Sequence, residues 1–365
     1  MVKYSVGARH EVCDARCKGI MFNTIDYEQL EGDYVLVDVR SPKEYSEFTI
    51  PGAVNLPIFD DEERELIGTV YNHESIDKAK KMGVDFASKR LLLLYEEIKK
   101  LREEHDKIIL FCERGGYRSS SLCALLNSIG IGAVKLRGGY KGYRAVVNSM
   151  LPKLNSEVNY IVIHGYTGTG KTELLKMLEN RGYDILDLEK HANHRGSLLG
   201  DVGLGSRMSQ KQFESLVYDN LRHRNSDTIF VEGESSRIGN IVIPHYIMQS
   251  MKAGKHILAV GSIEMRVRRI VEEYTKGKDS DADIINSLEK LGRNISARRI
   301  EEYARNIRLG NYHQVAEDLM IRYYDPMYEN EIKEFEYELT VNTDNIREAC
   351  LNIEKWLEKA RPEYI

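Results

Sequence analysis

Two short stretches of this chain carry residue types whose spacing can do chemistry. The first is Cys112-Glu113-Arg114-Gly115-Gly116-Tyr117-Arg118-Ser119, which follows an apolar run and leads into a helical one. A thiol placed there faces the backbone N–H groups and positive dipole end of a helix N-terminus, which stabilise an anion. Gly115 and Gly116 let the backbone curl so that several N–H groups point at one centre, and Arg114 and Arg118 add positive charge. The expected species is a reactive thiolate or an anionic persulfide. The second stretch is Gly165-Tyr166-Thr167-Gly168-Thr169-Gly170-Lys171-Thr172, which fits the G-x-x-x-x-G-K-T pattern of a phosphate cradle. Its glycines expose N–H groups that wrap a diphosphate, Lys171 neutralises the outer oxygens, and Thr172 can hold Mg²⁺. Cys123, inside an apolar helical run, reads instead as an ordinary buried cysteine.

Both loops need a strand before them and a helix after them, and the apolar pattern supplies these. Residues 34–39 and 107–111 read as buried strands, and 91–101 and 118–129 as helices, a βα rhythm that implies a parallel sheet. A second α/β unit opens with a strand at 160–164 and a helix at 173–179, with further strands at 184–188, 228–232 and 256–260. The strand at 228–232 ends in Glu232-Gly233-Glu234, an acidic pair in the position of a metal-organising carboxylate. Polar residues after such strands face the ligand crevice, which nominates His194, Arg195, Ser197 and Arg237. Met150-Leu151-Pro152 and its polar surroundings predict a break between domains, and the chain after Ile263 reads as almost wholly helical. The expected division is therefore 1–150, an α/β domain of 157–262, and a helical region of 263–365.

Bulk properties narrow the setting. A chain of 365 residues predicts roughly two domains. No run reaches the ~20 apolar residues of a membrane helix, and the first residues lack a signal peptide's apolar core, so a cytoplasmic protein is expected. The five cysteines fit no disulfide framework; Cys13 and Cys17 alone make a poor zinc site. A net charge of −5 argues against a generally RNA-coated surface but leaves room for a local basic face. Arg266, Arg268 and Arg269, then Arg293, Arg298, Arg299, Arg305 and Arg308, offer one, with Tyr274, Tyr303 and Tyr312 interleaved for stacking on bases. Each of these is also an ordinary residue of a solvated helix face.

Further segments complete a recognisable set. Asp38-Val39-Arg40-Ser41-Pro42-Lys43-Glu44-Tyr45, Ile50-Pro51-Gly52-Ala53-Val54-Asn55 and Gly138-Gly139-Tyr140 resemble the rhodanese signature. The expected fold is an N-terminal rhodanese-like parallel-sheet domain joined to a P-loop NTPase-like α/β domain with a helical C-terminal extension. In such a domain Asp38, Arg40 and Glu44 form a salt-bridge lattice beside the cysteine loop. With Phe59-Asp60-Asp61-Glu62-Glu63-Arg64, His191 to Ser197, Ser209 to Glu214, Glu234 to Gly239 and Tyr323-Tyr324-Asp325-Pro326, the chain resembles the tRNA 2-selenouridine synthase family over about residues 20–330. One departure stands out: Glu113 and Tyr117 replace the family's Trp and Met, and a carboxylate beside Cys112 is expected to raise its pKa. The resemblance implies a transferase acting on the wobble 2-thiouridine of tRNA. Its substrates would be geranyl diphosphate, which alkylates the sulfur, and selenophosphate, whose selenium then replaces it. Two other readings remain open on the residues alone: a sulfurtransferase with a nucleotide-gated partner domain, and a non-catalytic module that senses small anions.

Overall fold

Short, largely apolar runs bounded by turn residues can bury both faces of a strand, and two of them lie side by side within the first sheet. The computed structural model describes residues 22–196, 207–275, 280–290 and 295–360, and the chain divides after Met150 into two compact units. The first runs β1 (Asn23–Ile25), β2 (Val35–Asp38), α1 (Pro42–Glu47), β3 (Val54–Asn55), α2 (Asp61–His73), α3 (Ile76–Glu104), β4 (Ile108–Phe111), α4 (Tyr117–Ser128), β5 (Ala133–Leu136) and α5 (Gly139–Ser156). Its strands lie in the order β1-β5-β4-β2-β3, every pair parallel. Every residue of β2 and β4 is buried, and Val37, Leu110, Ile98 of α3 and Leu126 of α4 share one apolar core. That core fixes the end of β4, where Cys112 stands.

The second unit continues with β6 (Asn159–His164), α6 (Lys171–Glu179), β7 (Asp184–Leu186), α7 (Leu188–Ala192), α8 (Gln210–Arg222), β8 (Thr228–Glu232), the hairpin β9 (Arg237–Ile238) and β10 (Ile241–Val242), α9 (His245–Lys252) and β11 (Lys255–Val260). Helices α10 (Ile263–Tyr274), α11 (Ser280–Lys290), α12 (Ala297–Arg308), α13 (Tyr312–Leu319) and α14 (Asp325–Ile332) follow, then β12 (Leu339–Asn342) and α15 (Ile346–Ala360). A five-residue π-helical stretch, Met320–Tyr324, joins α13 to α14. The sheet order is β12-β11-β6-β8-β7, again all parallel. The phosphate loop therefore leaves the sheet's central strand, as the crevice rule for open parallel sheets requires.

The chain divides where the sequence predicts, but no loop marks the boundary: helix α5 runs without a break through Met150, Leu151 and Pro152. A proline removes one helical hydrogen bond, and the side chain of Asn155 in the next turn is tied to Tyr246 O, Ser250 Oγ and Tyr160 Oη. The described chain after Ile263 is almost wholly helical, with one strand among its helices. Leu339–Asn342 pairs in register with β11, and α15 buries Ala349, Cys350 and Ile353 in the same core as α6. The short strand, flanked by charged residues, gives no period strong enough to read without its partner.

Candidate functional site

The cysteine loop is built from strand, turn and helix in the order its chemistry demands. Cys112 is 3% exposed at the end of β4, with Sγ 3.2 Å from Ser119 Oγ in the first turn of α4. Gly116 is the N-cap of α4 and brings no side chain to it, so the orphan N–H groups of that turn are left to an anion. Gly115 sits at φ 62° and Gly139 at φ 59°. A Cβ on Gly139 would lie 2.1 Å from Cys112 O and 2.5 Å from Gly115 N. The start of α5 holds the loop's carbonyls instead, Tyr140 N donating to Cys112 O and Lys141 N to Glu113 O, each at 2.9 Å.

Charge around this loop is already paired. Arg40, fully buried, donates to both carboxylate oxygens of Asp38, to Phe48 O and to Glu113 Oε2, and its guanidinium stacks over the Tyr140 ring. Glu113 thus spends its charge on Arg40 at 3.0 Å, a partner that the sequence reading of an unopposed carboxylate beside the thiol did not supply. Arg118 grips Glu44 with both terminal nitrogens, at 2.6 and 3.2 Å. Burial works against the Glu44 charge, but Arg118 outweighs it and holds the carboxyl down at about 2. Burial likewise opposes the Arg118 charge, yet Glu44 and the nearby Cys112 sulfur raise its pKa above the ordinary arginine value. Arg114 points outward and is exposed.

In the phosphate loop the charge is held differently. Gly168 and Gly170 take left-handed φ values of 78° and 81°, and a Cβ on Gly168 would meet Arg266 O at 2.8 Å. Gly170 is the N-cap of α6 with no side-chain cap, so this helix too opens onto the crevice. Lys171 Nζ rests on Gly165 O at 2.9 Å, Thr169 Oγ1 donates to Tyr166 O, and Thr172 Oγ1 lies 3.3 Å from Glu189 Oε2. Around them is a cavity of about 570 Å³ whose walls also carry Glu189, His194, Arg195, Glu234 and Arg269.

Behind the loop, Glu232 is fully buried at the end of β8 and accepts from Glu189 N at 2.9 Å. Its other oxygen has no hydrogen-bond partner among the described residues. Burial, with Asp187, Glu189 and Glu234 adding negative charge, pushes its pKa well above the carboxylate range. Among the described residues no three acidic, histidine or cysteine side chains are placed to hold a metal ion. Asp187 and Glu189 were missed by the sequence reading. Their position just after β7, at the crevice end of a parallel strand, was the available signal.

The nominated residues scatter over several roles. Arg195 reaches the crevice wall, where Nε bonds Glu273 at 2.7 Å and the guanidinium lies over Tyr274. Arg237 is exposed on the hairpin strand β9 and does not line that cavity. Ser197, Arg293, Cys13 and Cys17 fall outside the described residues. The proposed tRNA cations need correction. Arg266 is 5% exposed, donates through Nε to Thr167 O, and grips Asp325 at 2.5 and 2.9 Å. Arg269 bonds Thr169 O at 3.3 Å, Thr343 O and Glu173 Oε2. Both brace the phosphate loop from α10 because that helix packs against it; of these three only Arg268 stays on the open face, paired with Glu272. Tyr274, Tyr303 and Tyr312 are likewise packing residues of the helical core rather than free stacking rings.

A cysteine cradle on one parallel sheet and a glycine–lysine cradle on another define a rhodanese-like domain followed by a P-loop domain. Family models match in the same order: a rhodanese-like domain over residues 26–146 and the tRNA 2-selenouridine synthase AAA domain over residues 158–361. The chain belongs to the tRNA 2-selenouridine synthase family. The protein of that name from Bordetella petrii is 31% identical over 330 residues, covering 81% of this chain and 86% of the relative. The one from Pseudomonas syringae pv. syringae is 31% identical over 340 residues, covering 84% and 91%. That from Nitrosomonas europaea is 34% identical over 251 residues, covering 66% of this chain and 64% of the relative. Among the described residues no helix is long and apolar enough to cross a membrane.

Proposed function

We propose that this chain, in the cytoplasm, is a transferase that converts the wobble 2-thiouridine of tRNA to 2-selenouridine in two steps. In the first, the thiouridine sulfur attacks C1 of geranyl diphosphate. A C–S bond forms, the C–O bond breaks, the base loses its N3 proton, and diphosphate leaves. Electrostatic stabilisation of that leaving group is the work of the phosphate loop: the open N-terminus of α6 and Lys171 meet its charge as it develops. A magnesium ion accompanying the diphosphate would be held by Thr172 Oγ1, beside Glu189, and would supply neutralising charge there. In the second step selenium from selenophosphate bonds to C2 and the geranylated sulfur departs as a thiol. Water then frees phosphate from the selenium. The Cys112 loop, with its open helix N-terminus and Arg114 at the rim, receives selenophosphate or a selenium species derived from it.

The observation that carries this reading is the preformed phosphate cradle, whose lysine rests on a backbone carbonyl rather than in an ion pair. The test is mass spectrometry of nucleosides from thiolated tRNA incubated with geranyl diphosphate and selenophosphate, separately and together. Geranyl diphosphate alone should give S-geranyl-2-thiouridine, and selenouridine should need both. Equal selenouridine without geranyl diphosphate overturns the two-step order.

A further inference from the structure

The helical core beyond the phosphate loop is incompletely filled. Ile270, Ile284, Ile307, Val315, Leu319 and Met320 surround a cavity of about 60 Å³, closed also by Tyr274 and Tyr324. Protein interiors rarely leave such space, and an apolar void of this kind stays dry and admits apolar ligands. Polar groups on its wall are satisfied elsewhere: Tyr312 Oη donates to Asp281 at 2.7 Å and Thr275 Oγ1 to Val271 O at 2.6 Å. The wall includes the π-helical stretch Met320–Tyr324, a widened turn of the sort that recurs at functional sites.

This void borders the phosphate crevice. Thr167, Ile270 and Tyr274 line both. Arg266 ties Thr167 O to Asp325, at the start of α14, and so fixes the shared wall. For an apolar chain attached to a diphosphate on the loop, that wall at Thr167 is the short way into the helical core. A second cavity of about 520 Å³ beside α9 is larger, but its walls carry His164, Glu234, His256 and Glu334, which an apolar chain would leave without water.

We propose that the cavity between α10, α11, α12 and α13 is the hydrocarbon subsite of a prenyl diphosphate, a reading that rests on the diphosphate assignment above. Space for one water takes roughly 10–15 Å³ on this measure, so the void accepts about one five-carbon isoprene unit. The chain's first unit then spans the mouth at Ile270 and Tyr274, and its second fills the core. Length follows from that division. A five-carbon substrate falls short of the cavity, and a fifteen-carbon one has a unit too many.

The test compares binding of inorganic pyrophosphate and of dimethylallyl, geranyl and farnesyl diphosphates to the full chain without tRNA. Each buried methylene is worth about fourfold in affinity, so three or four seated deeply make geranyl diphosphate roughly a hundredfold tighter than pyrophosphate. Ala316→Phe, which fills the cavity, should erase most of that gain while pyrophosphate affinity stays within about threefold. Leu319→Ala, which enlarges it, should favour farnesyl over geranyl diphosphate by about tenfold relative to the parent, and it decides the matter if Ala316→Phe fails to fold. Equal affinity for pyrophosphate and geranyl diphosphate, with both lost in Lys171→Ala, overturns the hydrocarbon subsite and leaves the diphosphate assignment standing. A gain removed by Met248→Phe in the second cavity, but not by Ala316→Phe, overturns it too. Pyrophosphate binding indifferent to Lys171→Ala defeats the diphosphate assignment and this proposal together.

Discussion

The two cradles share a plan and differ in where they keep their charge. Each follows a buried parallel strand, turns on left-handed glycines and opens onto a helix whose N-cap offers no side chain. Around Cys112 two arginines are spent: Arg40 on Asp38 and Glu113, Arg118 on Glu44. Around Gly170 the principal cation is held in reserve, with Lys171 on a backbone carbonyl that a phosphate oxygen can replace. On the proposed function, the first loop would seat a reacting sulfur among fixed ion pairs, and the second would offer its lysine to an arriving phosphate.

The contrast breaks most sharply at Gly139. Its Cβ would collide with Cys112 O and Gly115 N, at a φ that L side chains rarely adopt, so Gly139→Ala should destabilise the first unit by about 3–5 kcal/mol. Thermal unfolding of that variant should show loss of the cysteine-loop domain, and a parental melting profile would refute the packing argument. The paired charges come next. The Glu44 carboxyl sits at about 2 against its usual 4.5, so its contribution is complete above pH 4.5 and disappears as pH falls towards 2. Glu44→Gln should cost about 1–2 kcal/mol at pH 7, after solvent screening, with the difference from the parent vanishing in acid. In the second unit the sign reverses. Glu232 has a raised folded pKa, so the parent loses stability as pH climbs above the unfolded value. Glu232→Gln should therefore be the more stable protein at pH 7 by roughly 1–2 kcal/mol, with the gap closing near pH 4. Equal pH profiles would place an unrecognised partner on the free oxygen.

Both cradles were legible in the sequence because their chemistry is local: Cys112 to Ser119 and Gly165 to Thr172 each lie within eight residues of strand end and helix start. The Asp38–Arg40 pair was legible too, since it lies in one short run, but Glu44 takes Arg118 and Arg64 as its partners. Failures came where a residue's role depends on a distant neighbour. Arg266 and Arg269 look like any basic stripe of a helix until Asp325 and Thr343 are brought to them. Glu113 looked hostile to the thiol until Arg40, 73 positions away, took its charge. Strand β12 shows itself only through its pairing with β11, and the apolar cavity is a property of five packed elements that no periodicity encodes.

The account turns on a division of labour between the cradles, and nucleoside mass spectrometry on two variants tests it. With geranyl diphosphate, selenophosphate and thiolated tRNA supplied, Lys171→Ala should lose S-geranyl-2-thiouridine and selenouridine together. Cys112→Ala should still make the geranylated base while selenouridine falls at least tenfold. Geranylation at the parental rate in Lys171→Ala, or equal loss of both products in a folded Cys112→Ala, would contradict it.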